Sequence, residues 1–176
     1  ITAKSVNLSG GSLQLGAGSS INSTGTDADS GKVIISGATI NNGGLNNGTI
    51  NANQGYVQSG AGTSVKVDSV NASNGDISVS AGTLNANKIS AAGNISLTGG
   101  SVNVNKSLTT SSPSGGYVLI DGANVSFADG TSSEKVSLKS NSTLNVNSGS
   151  LTMGKNGEVE ANGDIEINST VNLGSN

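Results

Sequence analysis

The side chains with the means to do chemistry are few. Eleven carboxylates and eight lysines stand in a chain of 176 residues that has no histidine, cysteine, tryptophan or arginine. Acid–base work on a sugar needs grouped carboxylates, helped in most sites by a nearby basic residue. The densest group is "GEVEANGDIEI", residues 157–167, where Glu158, Glu160, Asp164 and Glu166 alternate with aliphatics. A period of two puts all four on the outward side of strands, with Glu158 and Glu160 on one strand and Asp164 and Glu166 on the next. They can serve as a glycosidase pair or a cation site. The bland alternative, a solvated acidic end that discourages edge-to-edge association, is favoured. "DADSG", residues 27–31, opens like a calcium loop through Asp27 and Asp29. It lacks the bidentate acid that such a loop carries downstream. No metal or cofactor is therefore expected.

Two tyrosines and one leucine are the other candidates. Tyr117 and Leu119 would project from one strand as an apolar patch able to stack on a sugar or pack on a protein, and Tyr56 would lie three coils away on the same side. A covering loop containing Pro113 is the competing expectation. Nine Asn-x-Ser/Thr sequons, at Asn7, Asn22, Asn47, Asn71, Asn94, Asn105, Asn124, Asn141 and Asn168, are candidate glycosylation sites. About six would arise by chance in a composition this rich in Asn, Ser and Thr, so outward placement is their main interest. A net charge of −3 with no basic cluster argues against nucleic acid. No run approaches the ~20 apolar residues of a membrane helix, so no membrane insertion is expected. The regular Thr-x-Thr column that would bind ice is absent.

These side chains must be carried by a repeat. "GDISVSAGTLNANK" at 75–88 and "GNISLTGGSVNVNK" at 93–106 begin eighteen residues apart and match almost position for position. Aligned on a leading small or polar residue and an aliphatic two positions later, eight units cover the chain. Their first aliphatics are Val6, Val33, Val57, Ile77, Ile95, Val118, Val136 and Val159. Inside a unit the aliphatics come as pairs two apart, as in Ile95/Leu97 and Val102/Val104, which is the signature of strands with one buried face. Three short strands per unit, divided by Gly, Ser and Asn, make a three-sided coil. One coil cannot bury its own apolar side, so coils must stack, each strand pairing in parallel with its equivalents ~4.8 Å above and below. The fold class expected is all-β: a right-handed parallel β-helix of about eight coils, one segment over 1–176, and a rod roughly 35–40 Å long.

The pattern predicts particular neighbours. Ile77 should lie on Ile95, Val79 on Leu97, Leu84 on Val102 and Asn85 on Asn103, aliphatics inside and Asn outside. Asn145 should join the Asn85/Asn103 column, and Asn87, Asn105 and Asn147 should share the next corner, where Asn tolerates left-handed backbone. Insertions are expected at 23–30, 41–48 and 109–117, and any specificity should sit there.

The stretch "GDISVSAGTLNANKISAAGNISLTGGSVNV" resembles the repeat region of large bacterial exoproteins of the two-partner secretion pathway, closest in style to the filamentous haemagglutinins and high-molecular-weight adhesins. The resemblance covers essentially all eight units. It implies a β-helical shaft exported by an outer-membrane transporter partner, placed outside the cell or on the bacterial surface. Such a shaft acts in attachment, biofilm or contact-dependent killing. It also gives the sequons a use, since some of these adhesins are N-glycosylated. The family's secretion domain carries Asn-Pro-Asn motifs and this chain has no Asn-Pro, so the chain is more like shaft than secretion domain and is expected to be a fragment of a longer exoprotein.

The functional expectation is thus a non-enzymatic, multivalent adhesive rod, with a host-cell or bacterial surface receptor or glycan as partner. The alternatives are a self-associating autotransporter passenger or fibre subunit, whose repeat style is the same, and a β-helical carbohydrate-active enzyme using Asp164 with Glu166 or Glu158 with Glu160.

Overall fold

The computed structural model describes residues 1–41, 43, 47–112 and 115–174. Pro113 and parts of the expected insertions at 41–48 and 109–117 lie outside them. The described residues form nineteen strands and no helix, and every strand pairing is parallel. Partners are separated by about one repeat of sequence, so each pairing closes one turn of a solenoid of about eight turns.

Three columns of inward side chains define the three faces. The first face stacks Val6/Leu8, Val33/Ile35, Tyr56/Gln58, Ile77/Val79, Ile95/Leu97, Val118/Ile120, Leu144/Val146 and Ile165/Ile167. The second runs through Ile40, Val65, Leu84, Val102, Val125, Leu151 and Val171. The third runs through Ile21, Ile50, Val70, Ile89, Leu108, Leu138 and Val159. From Val33 to Val146 nearly every inward aliphatic is completely buried. Each such side chain contributes about 1.5–3 kcal/mol on leaving water. The β-branched residues among them suit the pleated surface. In the last coil Ile165, Ile167 and Leu173 keep the same columns but are 47%, 49% and 70% exposed, since no described strand stacks beyond them.

The predicted neighbours are found. Ile77 pairs with Ile95, Val79 with Leu97, Leu84 with Val102 and Asn85 with Asn103. The Asn103 amide donates to Asn85 Oδ1 at 2.7 Å, and Ser126 Oγ continues the line by donating to Asn103 Oδ1 at 2.6 Å. At the next corner Asn105 donates to Asn87 Oδ1 at 3.1 Å, and Asn87 donates to Asp68 Oδ1 at 2.8 Å. Such ladders let the polar outside of the rod repeat the pairing of its backbone.

Two parts of the expected frame are corrected. In the third unit Tyr56 and Gln58 point inward and Val57 outward, because Tyr56 aligns with Val33 and Ile77. A one-residue slip exchanges the two sides of a strand, and here the inward place goes to a hydrogen-bonded polar pair. Beyond Val118 the frame changes face. Val136 and Val159 belong to the third face, and the first-face strands of the last two coils begin at Leu144 and Ile165. The cause is an insertion at 128–135 that lengthens the coil between Val118 and Leu144. Asn145 therefore pairs with Leu119 and Glu166 and lies outside the Asn85/Asn103 ladder, and Asn147 is likewise displaced from the Asn87/Asn105 corner.

This register has a direct check. Asn103→Ala removes two side-chain hydrogen bonds and is expected to lower unfolding free energy by about 1–2 kcal/mol. Asn145→Ala should stay within about 0.5 kcal/mol of the parent in the same denaturant titration. Equal losses would return Asn145 to the ladder.

Candidate binding surface

Parallel stacking makes the faces flat and sends variation to the corners. The acidic group of residues 157–167 is divided by this geometry. Glu158 and Glu160 project from the strand Gly157–Ala161 on the third face, whereas Glu166 projects from Ile165–Ile167 on the first. Lys139, in the coil beneath, places Nζ 2.9 Å from Glu160 Oε2 and 3.8 Å from Glu158 Oε2. The hydrogen bond that Lys139 donates to Glu160 and the charge of Glu158 raise the Lys139 pKa above its ordinary value. Glu166 Oε1 accepts from the Asn168 amide at 3.3 Å. The four carboxylates thus serve two surfaces, and the Glu158/Glu160 pair forms a solvated ion-pair cluster with Lys139. Such clusters are screened by salt.

Asp27 lies in the corner insertion that follows the strand Ser20–Ser23. Hydrogen bonds from the side chain and backbone of Ser30 lower its pKa, and the backbone bond measures 2.7 Å to Oδ1. The carboxylate is thereby used to close a local turn. Among the described residues, no three His, Cys, Asp or Glu side chains gather where they could hold a metal ion, around Asp27 and Asp29 or elsewhere.

Tyr117 is 38% exposed and Leu119 points outward beside Ser96 and Asn145. The Tyr117 backbone is tied twice to the coil beneath: its N–H donates to Asn94 Oδ1 at 3.1 Å and its carbonyl accepts from Ile95 N at 2.9 Å. The ring is therefore presented from a rigid support. Tyr56 does not join it. Tyr56 is completely buried, with its hydroxyl donating to Gln58 Oε1 at 2.7 Å, and burial pushes its phenol well above the usual range. The apolar patch thus has one tyrosine.

The sequons divide by exposure. Asn7, Asn124 and Asn168 are exposed, while Asn22, Asn47, Asn71, Asn94, Asn105 and Asn141 are half-buried. Several amides already donate to neighbours: Asn22 to Ser20, Asn105 to Asn87 and Asn141 to the Ser112 carbonyl.

A recessed surface with charged walls escaped sequence reasoning. The insertion 128–135 leaves the end of the strand Val118–Phe127 and returns to Val136 on the third face. It closes on itself, with Thr131 N donating to the Glu134 carbonyl at 2.8 Å and Glu134 N to Thr131 Oγ1 at 2.9 Å. It is tied to the next coil by Gly130 N to the Lys155 carbonyl at 2.7 Å and Lys155 N to Asp129 Oδ1 at 2.8 Å. Between this loop and the corner of the two preceding coils runs a groove of about 310 Å³. Lys88, Asn105 and Lys106 line it from the coils, and Thr131, Glu134 and Lys135 from the loop. The available signal was the absence of aliphatics between Phe127 and Val136 together with the Asp129-Gly130 turn. The eighteen-residue interval from Val118 to Val136 imitated an uninterrupted coil and hid it.

No protein-family model matches the chain, and neither characterised proteins nor solved structures yield a significant match.

Proposed function

We propose that this chain is a shaft segment of a large bacterial surface or secreted exoprotein, delivered by an outer-membrane transporter partner, whose work is adhesion and not catalysis. The observation that carries the reading is the continuity of stacking. All three faces continue from coil to coil, and the irregular segments fall at the corners. A rod of this kind holds weak contact points at fixed intervals, and tethered repetition of weak contacts multiplies affinity. The pattern and composition of the repeats, similar to those of two-partner secretion exoproteins, support the same reading.

The test is attachment of the full-length chain to host and bacterial cells, together with a glycan array. Binding that survives with several receptors or glycans supports the adhesive reading, and a chain that binds none but turns over a polysaccharide defeats it. Tyr117→Ala is expected to reduce cell attachment at least several-fold while leaving the unfolding midpoint nearly unchanged, because the ring is surface-exposed. A second reading, lateral self-association, is favoured by the Tyr117/Leu119 strip on the first face, whose outward column also carries Ile34 and Val57. Filaments or aggregates from a chain that binds no cell, with loss of assembly in Tyr117→Ala, would select it.

A further inference from the structure

We propose that the groove beside the 128–135 loop is a binding site for an acidic carbohydrate, with the ligand's carboxylate or sulfate held by Lys88, Lys106 and Lys135; this rests on the adhesive reading and names its ligand class. Three of the chain's eight lysines line this one recess. Among the described residues, Lys139 is the lysine whose side chain has a carboxylate within 4.0 Å. Lys88, Lys106 and Lys135 thus converge on a concave surface with their charges uncommitted to protein acids at that range. The three lysines outnumber the two carboxylates of the lining, Asp129 and Glu134, so the recess carries a net positive charge, and its concave shape focuses the field.

The other lining groups decide what kind of anion fits. Asn105 and Thr131 offer neutral polar contacts, and Glu134 brings a carboxylate that accepts hydrogen bonds from hydroxyls. An acidic sugar matches that mixture: anionic groups set among hydroxyl donors. A nucleic-acid strand matches it poorly, because no aromatic side chain lines the groove to stack on a base. The loop is also pre-formed. Its internal Thr131/Glu134 bonds and its ties to Lys155 keep the far wall in place, which reduces the ordering a ligand must impose.

The experiment uses the full chain with three probes: a heparin-derived hexasaccharide, a hexamer of galacturonate, and maltohexaose as the uncharged control. Calorimetry at low and at physiological salt should show binding of one or both acidic hexamers, weakened by salt, and none of maltohexaose. Which acidic hexamer binds separates sulfate from carboxylate as the recognised group. The double variant Lys88→Ala/Lys106→Ala and the single variant Lys135→Ala should each lose about tenfold or more in affinity. Their unfolding midpoints should be unchanged, since all three side chains are exposed. Glu134→Gln should weaken the sugar while leaving weak binding of inorganic sulfate intact.

Acidic hexamers that fail to bind, or bind equally to the lysine variants, overturn the site. Equal lysine-dependent binding of a random single-stranded DNA also overturns the carbohydrate assignment. The two proposals separate cleanly. Cell attachment that persists in the lysine variants leaves the adhesive reading standing without this groove. Groove-dependent sugar binding in a chain that attaches to no cell leaves the groove without the adhesive reading.

Discussion

Gly149→Ala is expected to lower stability by about 2–6 kcal/mol. Gly149 lies at the turn between the first and second faces, inside the strand Leu144–Met153, with φ at 85°. A non-glycine residue in that region is strained, commonly by about 1–3 kcal/mol. A Cβ there would also fall 2.1 Å from the Ala123 carbonyl oxygen and 2.9 Å from the Ala123 carbonyl carbon and nitrogen in the coil beneath. That neighbour is the backbone of the buried Ala123 and has no rotamer by which to withdraw. The coil must lift, and lifting one corner strains the parallel ladder on both sides of it, adding an overpacking cost of about 1–3 kcal/mol. Gly18→Ala is the control. Its φ is 72°, yet nothing lies within 4 Å of the added carbon, so only the backbone strain should appear. Urea titration of both variants, with hydrogen exchange to locate the loosened coils, separates the two contributions. Equal losses at the two sites would mean that close stacking of coil corners contributes little.

The same close approach explains what the sequence could and could not reveal. Within the eighteen-residue repeats, alternation fixes the strand faces and turn glycines fix the corners, so Ile77 over Ile95 and Asn85 over Asn103 follow directly. Which of the three faces a pair occupies is not written in the pair. Val136/Leu138 looks like Val118/Ile120, and only the length of chain between them says that one is on the third face and the other on the first. An insertion whose length restores the apparent period therefore moves the frame silently. This is why the 128–135 groove is not legible in the sequence, whereas the outward setting of Tyr117 and Leu119 is. Alternation separates Glu158 and Glu160 from Glu166 by strand, as the structure shows, whereas Asp164 lies just before its expected strand, Ile165–Ile167.

Tyr56→Phe is the second large expected effect, and it tests the phase of the third coil. The Tyr56 hydroxyl donates to Gln58 Oε1 at 2.7 Å, and Gln58 Nε2 donates to the Ala81 carbonyl at 3.1 Å, so two polar residues cross the core as one satisfied chain. Removing the hydroxyl leaves a buried amide oxygen without its donor, which costs about 1–3 kcal/mol near neutral pH. Tyr56→Phe/Gln58→Leu should recover most of that loss, because both partners then become apolar. Had Val57 been the inward residue, Tyr56→Phe would have been close to silent. The pH dependence gives a second signature. Burial raises the folded-state phenol pKa above its unfolded value of about 10, so the unfolded chain releases this proton first. The stability contributed by the neutral phenol is complete below pH ~10 and declines as pH rises toward the folded value, by about 1.4 kcal/mol per unit. Every other ionisable group is common to the two proteins and cancels in the comparison. The advantage of the parent over Tyr56→Phe should therefore be largest at pH 8 and shrink or reverse by pH 11 in matched denaturant titrations. A gap that stays constant across that range would place the Tyr56 hydroxyl in contact with water and return the tyrosine to the outside of the rod.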